Sequence, residues 1–290
     1  MNLQGCYTAI VTPFRHGEVD YGAFGRLLEM QLDAGIDGVV PVGTTGESPT
    51  IDFDEHMKII DFVVEKVAGR CPIIAGTGAN STTEAIRLTK HAAEVGVDAS
   101  LQVTPYYNKP TAEGLYRHFL TVAEETGVPI VLYNVPGRTG CEIPIDVIRR
   151  LADHELVLAV KEAGGSVDRV SAILDACTIT VLSGDDGLTL PMMSLGAKGV
   201  ISVASNLLPA KVTSLTHLAL AGDFEGARAI HQQLYPLFRD LFVETNPVPV
   251  KAALAMLGLI AEEYRLPLCG ISNAGREILR ESMKAVGLDV

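Results

Sequence analysis

The sequence predicts a (β/α)8 barrel, an α/β fold, followed by a small helical bundle. Eight short apolar runs alternate with amphipathic segments along the chain. Most of these runs are continuously apolar, which is typical of parallel strands covered on both faces. The strand pattern stops near residue 222, and three helical patterns follow. We therefore predict a barrel domain over residues 1–222 and a helical domain over residues 223–290.

The predicted strands are short, rich in β-branched residues and separated by longer segments with helical spacing, as at residues 21–35 and 53–69. Between a helix and the next strand there is often a glycine, which suits the left-handed conformation that ends a helix. These glycines are Gly35, Gly96, Gly127 and Gly196. The eight strands are predicted at residues 7–11, 38–43, 72–76, 99–104, 129–134, 156–161, 178–183 and 199–204.

The C-terminal helices are predicted at residues 223–242, 247–259 and 273–287. An open doubly wound sheet is the alternative to a barrel. It would require a glycine-rich turn after the first strand, but that position holds TPFRHGEVD rather than GxGxxG.

Composition narrows the possible functions. The formal net charge is -12 and 48% of residues are hydrophobic, which favours a large core and argues against a broad nucleic-acid surface. No apolar run approaches the roughly 20 residues of a membrane helix, and the N-terminus does not resemble a signal peptide. The five cysteines form no CxxC pair, which indicates a reducing compartment. We predict a cytoplasmic protein without a membrane or nucleic-acid partner.

The candidate chemistry is read from the C-terminal ends of the strands, where barrels of this kind carry their active sites. The sixth strand ends in Lys161, although burial of an ammonium is costly. In an apolar pocket near Arg138, the pKa of this amine would fall from its usual value of about 10.4. A neutral lysine attacks a carbonyl and forms a Schiff base. The alternative is a lysine that reaches solvent or neutralises Glu162.

Hydroxyl groups surround the predicted position of Lys161. Thr44 follows the second strand, Tyr107 the fourth, and Tyr133 ends the fifth. A chain of hydroxyls can move the several protons of a Schiff-base cycle without a metal. Each tyrosine alone is more typical of a core aromatic. No histidines form a paired ligand set at a strand end, so we predict no metal and no cofactor beyond the covalent lysine adduct.

Two further features point to a carboxylate substrate. Arg138 lies in the turn PGRTG, where a guanidinium can bind a carboxylate through two parallel hydrogen bonds, although a surface salt bridge is the simpler alternative. The loop after the seventh strand, often part of a phosphate site, contains Asp185 and Asp186. These acidic residues would repel a phosphate.

Five stretches together, GTTGE, TPYYNKP, YNVPGRTG, the lysine of the sixth strand and NPVPVK, resemble the dihydrodipicolinate synthase family over essentially the whole chain. The resemblance implies condensation of pyruvate with L-aspartate 4-semialdehyde, in the diaminopimelate pathway to lysine. It also implies an oligomer, usually a tetramer built as a dimer of dimers. Another pyruvate-dependent enzyme of the superfamily, such as N-acetylneuraminate lyase or 2-keto-3-deoxygluconate aldolase, is the first alternative, and a non-catalytic sensor is the second.

The resemblance also assigns roles to individual residues. Lys161 would carry the Schiff base, and Tyr133 would exchange protons through Thr44 with Tyr107 of a neighbouring subunit. Other residues would bind substrate: Thr45 and the backbone at Val203 would hold pyruvate, and Arg138 would hold the aldehyde substrate's carboxylate.

A second set of residues resembles the family's site for L-lysine as an inhibitor. Tyr106 adjoins Tyr107 in sequence, so strand alternation would turn the two to opposite sides. Phe53 and Pro49 depart from the pattern of lysine-sensitive bacterial relatives, and we therefore expect weak or absent inhibition. The candidate effector residues are Ser48, His56, Asn80, Glu84 and Tyr106.

Overall fold

A computed structural model describes residues 3–290 and contains a closed, eight-stranded parallel barrel. Its hydrogen-bonded order runs β4-β1-β10-β9-β8-β7-β6-β5, and a parallel bridge between Val39 and Ile73 closes the barrel. Each barrel strand lies within or overlaps one of the eight predicted runs, so the predicted fold class is confirmed. The barrel strands are β1 (Gly5–Ala9), β4 (Gly38–Val40), β5 (Ile74–Gly76), β6 (Ala99–Val103), β7 (Ile130–Asn134), β8 (Val157–Glu162), β9 (Thr180–Ser183) and β10 (Gly199–Ser202).

A small antiparallel hairpin follows β1 and was not predicted. It pairs β2 (Phe14–Arg15) with β3 (Glu18–Val19). Strands of two residues carry no detectable periodicity, which explains why the sequence pattern missed them.

Helices surround the barrel and continue beyond it. Asp52 caps the second helix by accepting a hydrogen bond from the backbone N–H of Glu55 at 2.8 Å. The predicted left-handed glycines are present, as at Gly96 with φ of 93°. The helices are α1 (Tyr21–Asp33), α2 (Phe53–Val67), α3 (Thr82–Val95), α4 (Ala112–Thr126), α5 (Pro136–Thr139), α6 (Ile145–Ala152), α7 (Val167–Ala176), α8 (Thr189–Ser194), α9 (Pro209–Leu220), α10 (Phe224–Asp240), α11 (Val248–Met256) and α12 (Asn273–Ala285).

The barrel strands alternate between an inner face and an outer face that packs against the helices. Val131 and Tyr133 belong to the cluster inside the barrel, whereas Ile130 and Leu132 pack with the surrounding helices. On β8, Ala159 belongs to the inner cluster. Strand alternation therefore directs the side chain two residues further on, Lys161, into the barrel.

The three C-terminal helices pack on the first part of the barrel. Leu234 and Leu254 belong to the same buried cluster as Phe24 and Ile60 of the first two helices. The division at residue 222 therefore separates two parts that share one core, and it stays a prediction. None of the helices in the described part of the chain is long and apolar enough to cross a membrane.

Candidate active site

Lys161 and Tyr133 lie side by side at the C-terminal ends of β8 and β7. The two residues are partners in the parallel register. The Lys161 ammonium lies 4.2 Å from the centroid of the Tyr133 ring, and each residue is only 6% exposed. Gly184 leaves room for the lysine, because a Cβ there would lie 3.0 Å from Lys161 Cε. The barrel thus delivers a lysine to the edge of an apolar interior, as predicted.

Glu162 is not the partner of Lys161. Its carboxylate lies on the outer face, where it accepts hydrogen bonds from Asn134 Nδ2 at 2.9 and 3.0 Å and from Arg169 Nε at 3.0 Å. Within residues 3–290, Lys161 Nζ forms no ion pair. The alternative in which Lys161 neutralises Glu162 is therefore not observed.

A cavity of about 290 Å³ opens at this end of the barrel. Thr44, Tyr133 and Arg138 line it together, so three of the residues predicted for catalysis and substrate binding share one space. Lys161 lies beside the Tyr133 ring at the edge of this space rather than in its wall. The remaining lining residues are Val42, Gly43, Ser48, Pro49, Gly76, Gly78, Leu101, Val103, Tyr106, Val135 and Thr139.

The turn after β4 presents Thr44 to the cavity and buries Thr45. Val42 and Glu47, at its two ends, have left-handed backbones with φ of 53° and 57°. Such conformations cost about 1–3 kcal/mol each in residues other than glycine. The Glu47 N–H donates to the Thr44 carbonyl at 3.1 Å, which closes the turn. Contacts elsewhere must offset the strain of this turn.

Asn246 joins Thr45 to Arg138, and this role was not predicted from the sequence. The Asn246 side-chain Nδ2 donates to Thr45 Oγ1 at 3.0 Å. The Asn246 backbone carbonyl accepts from Arg138 Nη2 at 3.0 Å. Arg138 lies on the one-turn helix α5 and, among the described residues, pairs with no carboxylate. The signal for Asn246 was the motif NPVPVK, which was noted only as part of the family resemblance.

The loop after β10 places Val203 in a buried position. Its carbonyl accepts from the Asn206 backbone N–H at 3.1 Å and from Asn206 Nδ2 at 3.0 Å. Its N–H donates to Asp186 at 3.0 Å. The backbone predicted to hold pyruvate is thus already fixed by two neighbouring side chains.

Asp186 contacts its own chain in a way that the predicted repulsion of a phosphate did not include. Its buried carboxylate accepts from the backbone N–H groups of Val203 and Ala204, each at 3.0 Å, and from Ser202 Oγ at 2.5 Å. Burial raises the pKa of Asp186, whereas these donors lower it. The carboxylate occupies donors that many barrels offer to a phosphate. Asp185 instead accepts from the Leu188 N–H and stabilises a turn.

Tyr106 and Tyr107 lie beyond the last residue of β6, Val103, so the predicted strand alternation between them was wrong. Tyr107 adopts a left-handed backbone with φ of 70° and is 91% exposed. Tyr106 instead lines the cavity. Within its own chain, the predicted relay from Thr44 to Tyr107 is therefore not formed.

Four of the five predicted effector residues lie near the same cavity. Ser48 and Tyr106 line it, and Asn80 Nδ2 donates to the Tyr106 carbonyl at 3.2 Å. The pKa of Tyr106 is raised, first by burial and then by the negative charge of Glu84.

His56 lies apart from this group, behind the cavity wall. Its Nε2–H donates to the Gly76 carbonyl at 2.8 Å, and burial lowers its pKa to about 4. The structure thus places His56 in the core, neutral at ordinary pH, rather than among the exposed polar groups.

Among residues 3–290, no group of three or more His, Cys, Asp and Glu side chains is placed to hold a metal ion. A barrel with a buried lysine at a strand end, next to a tyrosine and a cavity, defines the class of Schiff-base-forming lyases.

Comparisons with known proteins identify the family. The profile of the dihydrodipicolinate synthetase family matches residues 2–286. The 4-hydroxy-tetrahydrodipicolinate synthase of Hydrogenobaculum sp. (strain Y04AAS1) is 53% identical, over 99% of each chain. The crystal structure of dihydrodipicolinate synthase from Aquifex aeolicus has a TM-score of 0.97 at 53% identity, also over 99% of each chain. The chain belongs to the dihydrodipicolinate synthetase family.

Two other solved relatives have ligands bound. The enzyme from Acinetobacter baumannii, 44% identical with a TM-score of 0.97 over 99% of each chain, is complexed with pyruvate. The enzyme from Cyanidioschyzon merolae, 41% identical with a TM-score of 0.95 over 99% of each chain, has lysine bound. The predicted lyase class and synthase function are confirmed by full-length relatives, and the sugar-lyase alternative is not favoured.

Proposed function

We propose that this chain condenses pyruvate with L-aspartate 4-semialdehyde through a Schiff base on Lys161. The observation that carries the proposal is the pairing of Lys161 with Tyr133 beside a cavity that also contains Thr44 and Arg138. The relatives' names support the product, and the pyruvate complex of the Acinetobacter baumannii enzyme supports the first substrate. A cytoplasmic setting is consistent with five free cysteines.

The first half of the proposed reaction uses the buried amine. Lys161 attacks the keto carbon of pyruvate, water leaves, and an imine forms. Loss of a methyl proton then gives an enamine. Tyr133 is the nearest candidate for moving these protons, because its ring contacts the lysine and lines the cavity. Thr44, on the same cavity wall, is the next hydroxyl of the relay.

The second half joins the two substrates. The enamine carbon attacks the aldehyde, while Arg138 holds the carboxylate of the incoming substrate through charge-assisted hydrogen bonds. The substrate's amine then displaces Lys161 by closing the ring, which frees the enzyme. Arg138 suits this role because the carbonyl of Asn246 orients it while its charge remains unpaired among the described residues.

A substrate-selectivity assay tests the proposed function. The purified chain is given pyruvate with L-aspartate 4-semialdehyde, or with sugar aldehydes in separate reactions, and product formation is followed. We expect efficient turnover only with the semialdehyde. Comparable turnover with N-acetylmannosamine or glyceraldehyde would instead favour another branch of the superfamily.

The exposure of Tyr107 supports an oligomer in which this ring completes the site of a neighbouring subunit. An aromatic ring that is 91% exposed on a strained, left-handed residue is unusual unless a partner covers it. Tyr107 does not line the cavity of its own chain, so its proposed relay hydroxyl has to come from a partner. A solved relative 43% identical, with a TM-score of 0.96 over 99% of this chain and 97% of its own, is a monomeric variant, so the assembly requires a direct test.

Mixing two inactive variants provides that test. Lys161→Ala lacks the nucleophile and Tyr107→Phe lacks the relay hydroxyl, so neither alone should turn over efficiently. In a mixed dimer, one site regains both groups, and we expect up to about a quarter of wild-type activity after co-refolding at equal ratio, since half the dimers are mixed and each has one intact site. No recovery in mixed oligomers would contradict a Tyr107 shared between subunits.

L-lysine is proposed as a weak effector at Ser48, Asn80, Glu84 and Tyr106. The lysine complex of the Cyanidioschyzon merolae enzyme supports this ligand. Glu84 is exposed and close enough to influence Tyr106, so it is available to bind an α-amino group. The Phe53 ring, where a polar residue is common, lies under the Arg87 guanidinium at 3.9 Å and offers no hydrogen bond.

Calorimetry with L-lysine tests this effector site. We expect binding in the millimolar range for the wild type and at least a tenfold weaker signal for Glu84→Ala, because a charge-assisted contact is lost. Thr82→Ala, a change in the same helical turn, serves as the control. Equal heats for wild type and Glu84→Ala would contradict the assignment of Glu84.

A further inference from the structure

A buried ion pair joins the C-terminal helical part of the chain to the turn that carries Thr44 and Thr45. Lys251, on α11, forms a hydrogen-bonded ion pair with Glu47, and both side chains are 0% exposed. Glu47 is the last residue of the turn after β4, and its backbone is left-handed. Neither residue contacts the cavity, so neither belongs to the proposed chemistry.

Aromatic rings flank Lys251, and the charges of Glu263 and Arg265 also act on it. The Arg265 backbone N–H donates to Glu47 at 3.3 Å. The Lys251 ammonium lies 4.3 Å from the centroid of the Phe14 ring and 5.3 Å from that of Tyr264. Burial lowers the pKa of Lys251, and the charge of Glu47 opposes that shift. A buried ion pair is a weak source of stability, because desolvation offsets most of the attraction. Control of the position of the turn better explains why two charged side chains are buried here.

The pair acts on the turn through the Glu47 main chain. The Glu47 N–H binds the Thr44 carbonyl, and Thr12 Oγ1 donates to the Gly46 carbonyl at 2.7 Å. A shift of the Glu47 side chain would therefore move the backbone that presents Thr44. The same C-terminal segment reaches the turn a second time, through the hydrogen bond from Asn246 to Thr45.

We propose that Glu47 and Lys251 are positioning residues, whose ion pair holds the Thr44–Thr45 turn in its pyruvate-binding geometry. The inference rests on the proposed function, because it takes Thr44 as a hydroxyl of the proton relay and Thr45 as a pyruvate-binding residue. It gives the C-terminal helices a role in the reaction, which is to fix the position of a strained turn on the barrel. Misplacement of such a turn by about 1 Å can lower activity on the order of 100-fold.

The double variant Glu47→Gln/Lys251→Met tests the proposal. It removes both charges and keeps similar volumes, so no charge is left buried alone. We expect a melting temperature close to that of the wild type and kcat/KM for pyruvate lowered about 10- to 100-fold, with KM for pyruvate changing most. The KM for L-aspartate 4-semialdehyde should change less, because the contact between Arg138 and Asn246 remains.

The matched control is Arg276→Met/Glu262→Gln. This variant removes an ion pair of the C-terminal region that has no contact with the turn, and its kinetics should equal those of the wild type. If Glu47→Gln/Lys251→Met folds and retains the wild-type KM for pyruvate, the pair is only structural and the proposal fails.

If the double variant does not fold, Lys251→Arg is tested in its place. This variant keeps the positive charge, and its larger head group should displace the Glu47 side chain. A folded Lys251→Arg protein with a raised pyruvate KM supports the proposal, and one with an unchanged KM overturns it. Failure of the wild type to trap pyruvate would instead refute the proposed function itself, so the two failures are distinguishable.

Discussion

Replacement of Lys161 by methionine is expected to lower turnover by about four to six orders of magnitude, because a nucleophile that forms a covalent intermediate is lost. Methionine fills a similar volume beside Tyr133, so the fold should be retained. Lys161→Arg is the stricter variant, since it keeps a positive charge but cannot form an imine. Steady-state assays and circular dichroism of both variants measure activity and folding together.

The control is Lys198→Met, which changes an exposed lysine just before β10 at the opposite end of the barrel. Its activity should match that of the wild type. A Lys161→Arg protein that turns over at more than about a hundredth of the wild-type rate would exclude Lys161 as the covalent residue.

Replacement of Arg138 by alanine should separate the two half-reactions. Loss of a charge-assisted contact costs about 2–4 kcal/mol, which corresponds to a fall of roughly 30- to 1000-fold in kcat/KM for L-aspartate 4-semialdehyde. Pyruvate should still form its adduct, because Lys161 and Tyr133 are unchanged. Stopped-flow measurement of adduct formation and steady-state kinetics of condensation test the two halves separately.

Arg149→Ala is the matched control, since Arg149 forms an exposed pair with Asp146 on a neighbouring helix. It should leave both half-reactions intact. Unchanged semialdehyde kinetics in Arg138→Ala would show that the carboxylate is bound elsewhere. Arg138→Lys should recover little activity, because an ammonium cannot reproduce the two parallel hydrogen bonds of a guanidinium.

The barrel was predictable because most strands are nearly continuous apolar runs, and several begin shortly after the glycine that ends the preceding helix. Lys161 stood out for the same reason, as a charged residue that ends such a run. The hairpin at Phe14–Arg15 was not detectable, because two residues do not establish a period.

The supporting contacts of the site required three-dimensional information. Glu47 and Lys251 lie 204 residues apart, and no pattern in one sequence pairs them. Asn246 connects Thr45 to Arg138 only because the chain returns from the C-terminal helices to the barrel mouth. His56 was predicted as an effector-site residue, yet it points from α2 into the core.

Asp186 shows how the sequence can suggest an incomplete physical reason for an expectation. Two adjacent aspartates suggested repulsion of a phosphate, but one of them occupies the backbone donors directly. Sequence alone does not distinguish a carboxylate that lies in solvent from one that is bound by its own chain.

Reductive trapping of the wild-type protein tests most directly whether Lys161 carries the Schiff base. The chain is incubated with pyruvate and sodium borohydride, digested, and mapped by mass spectrometry, with Lys198 and Lys251 as internal comparisons. We expect one stoichiometric pyruvate adduct, located on Lys161, together with loss of activity. An adduct on another lysine, or full activity after borohydride treatment with pyruvate, would contradict it.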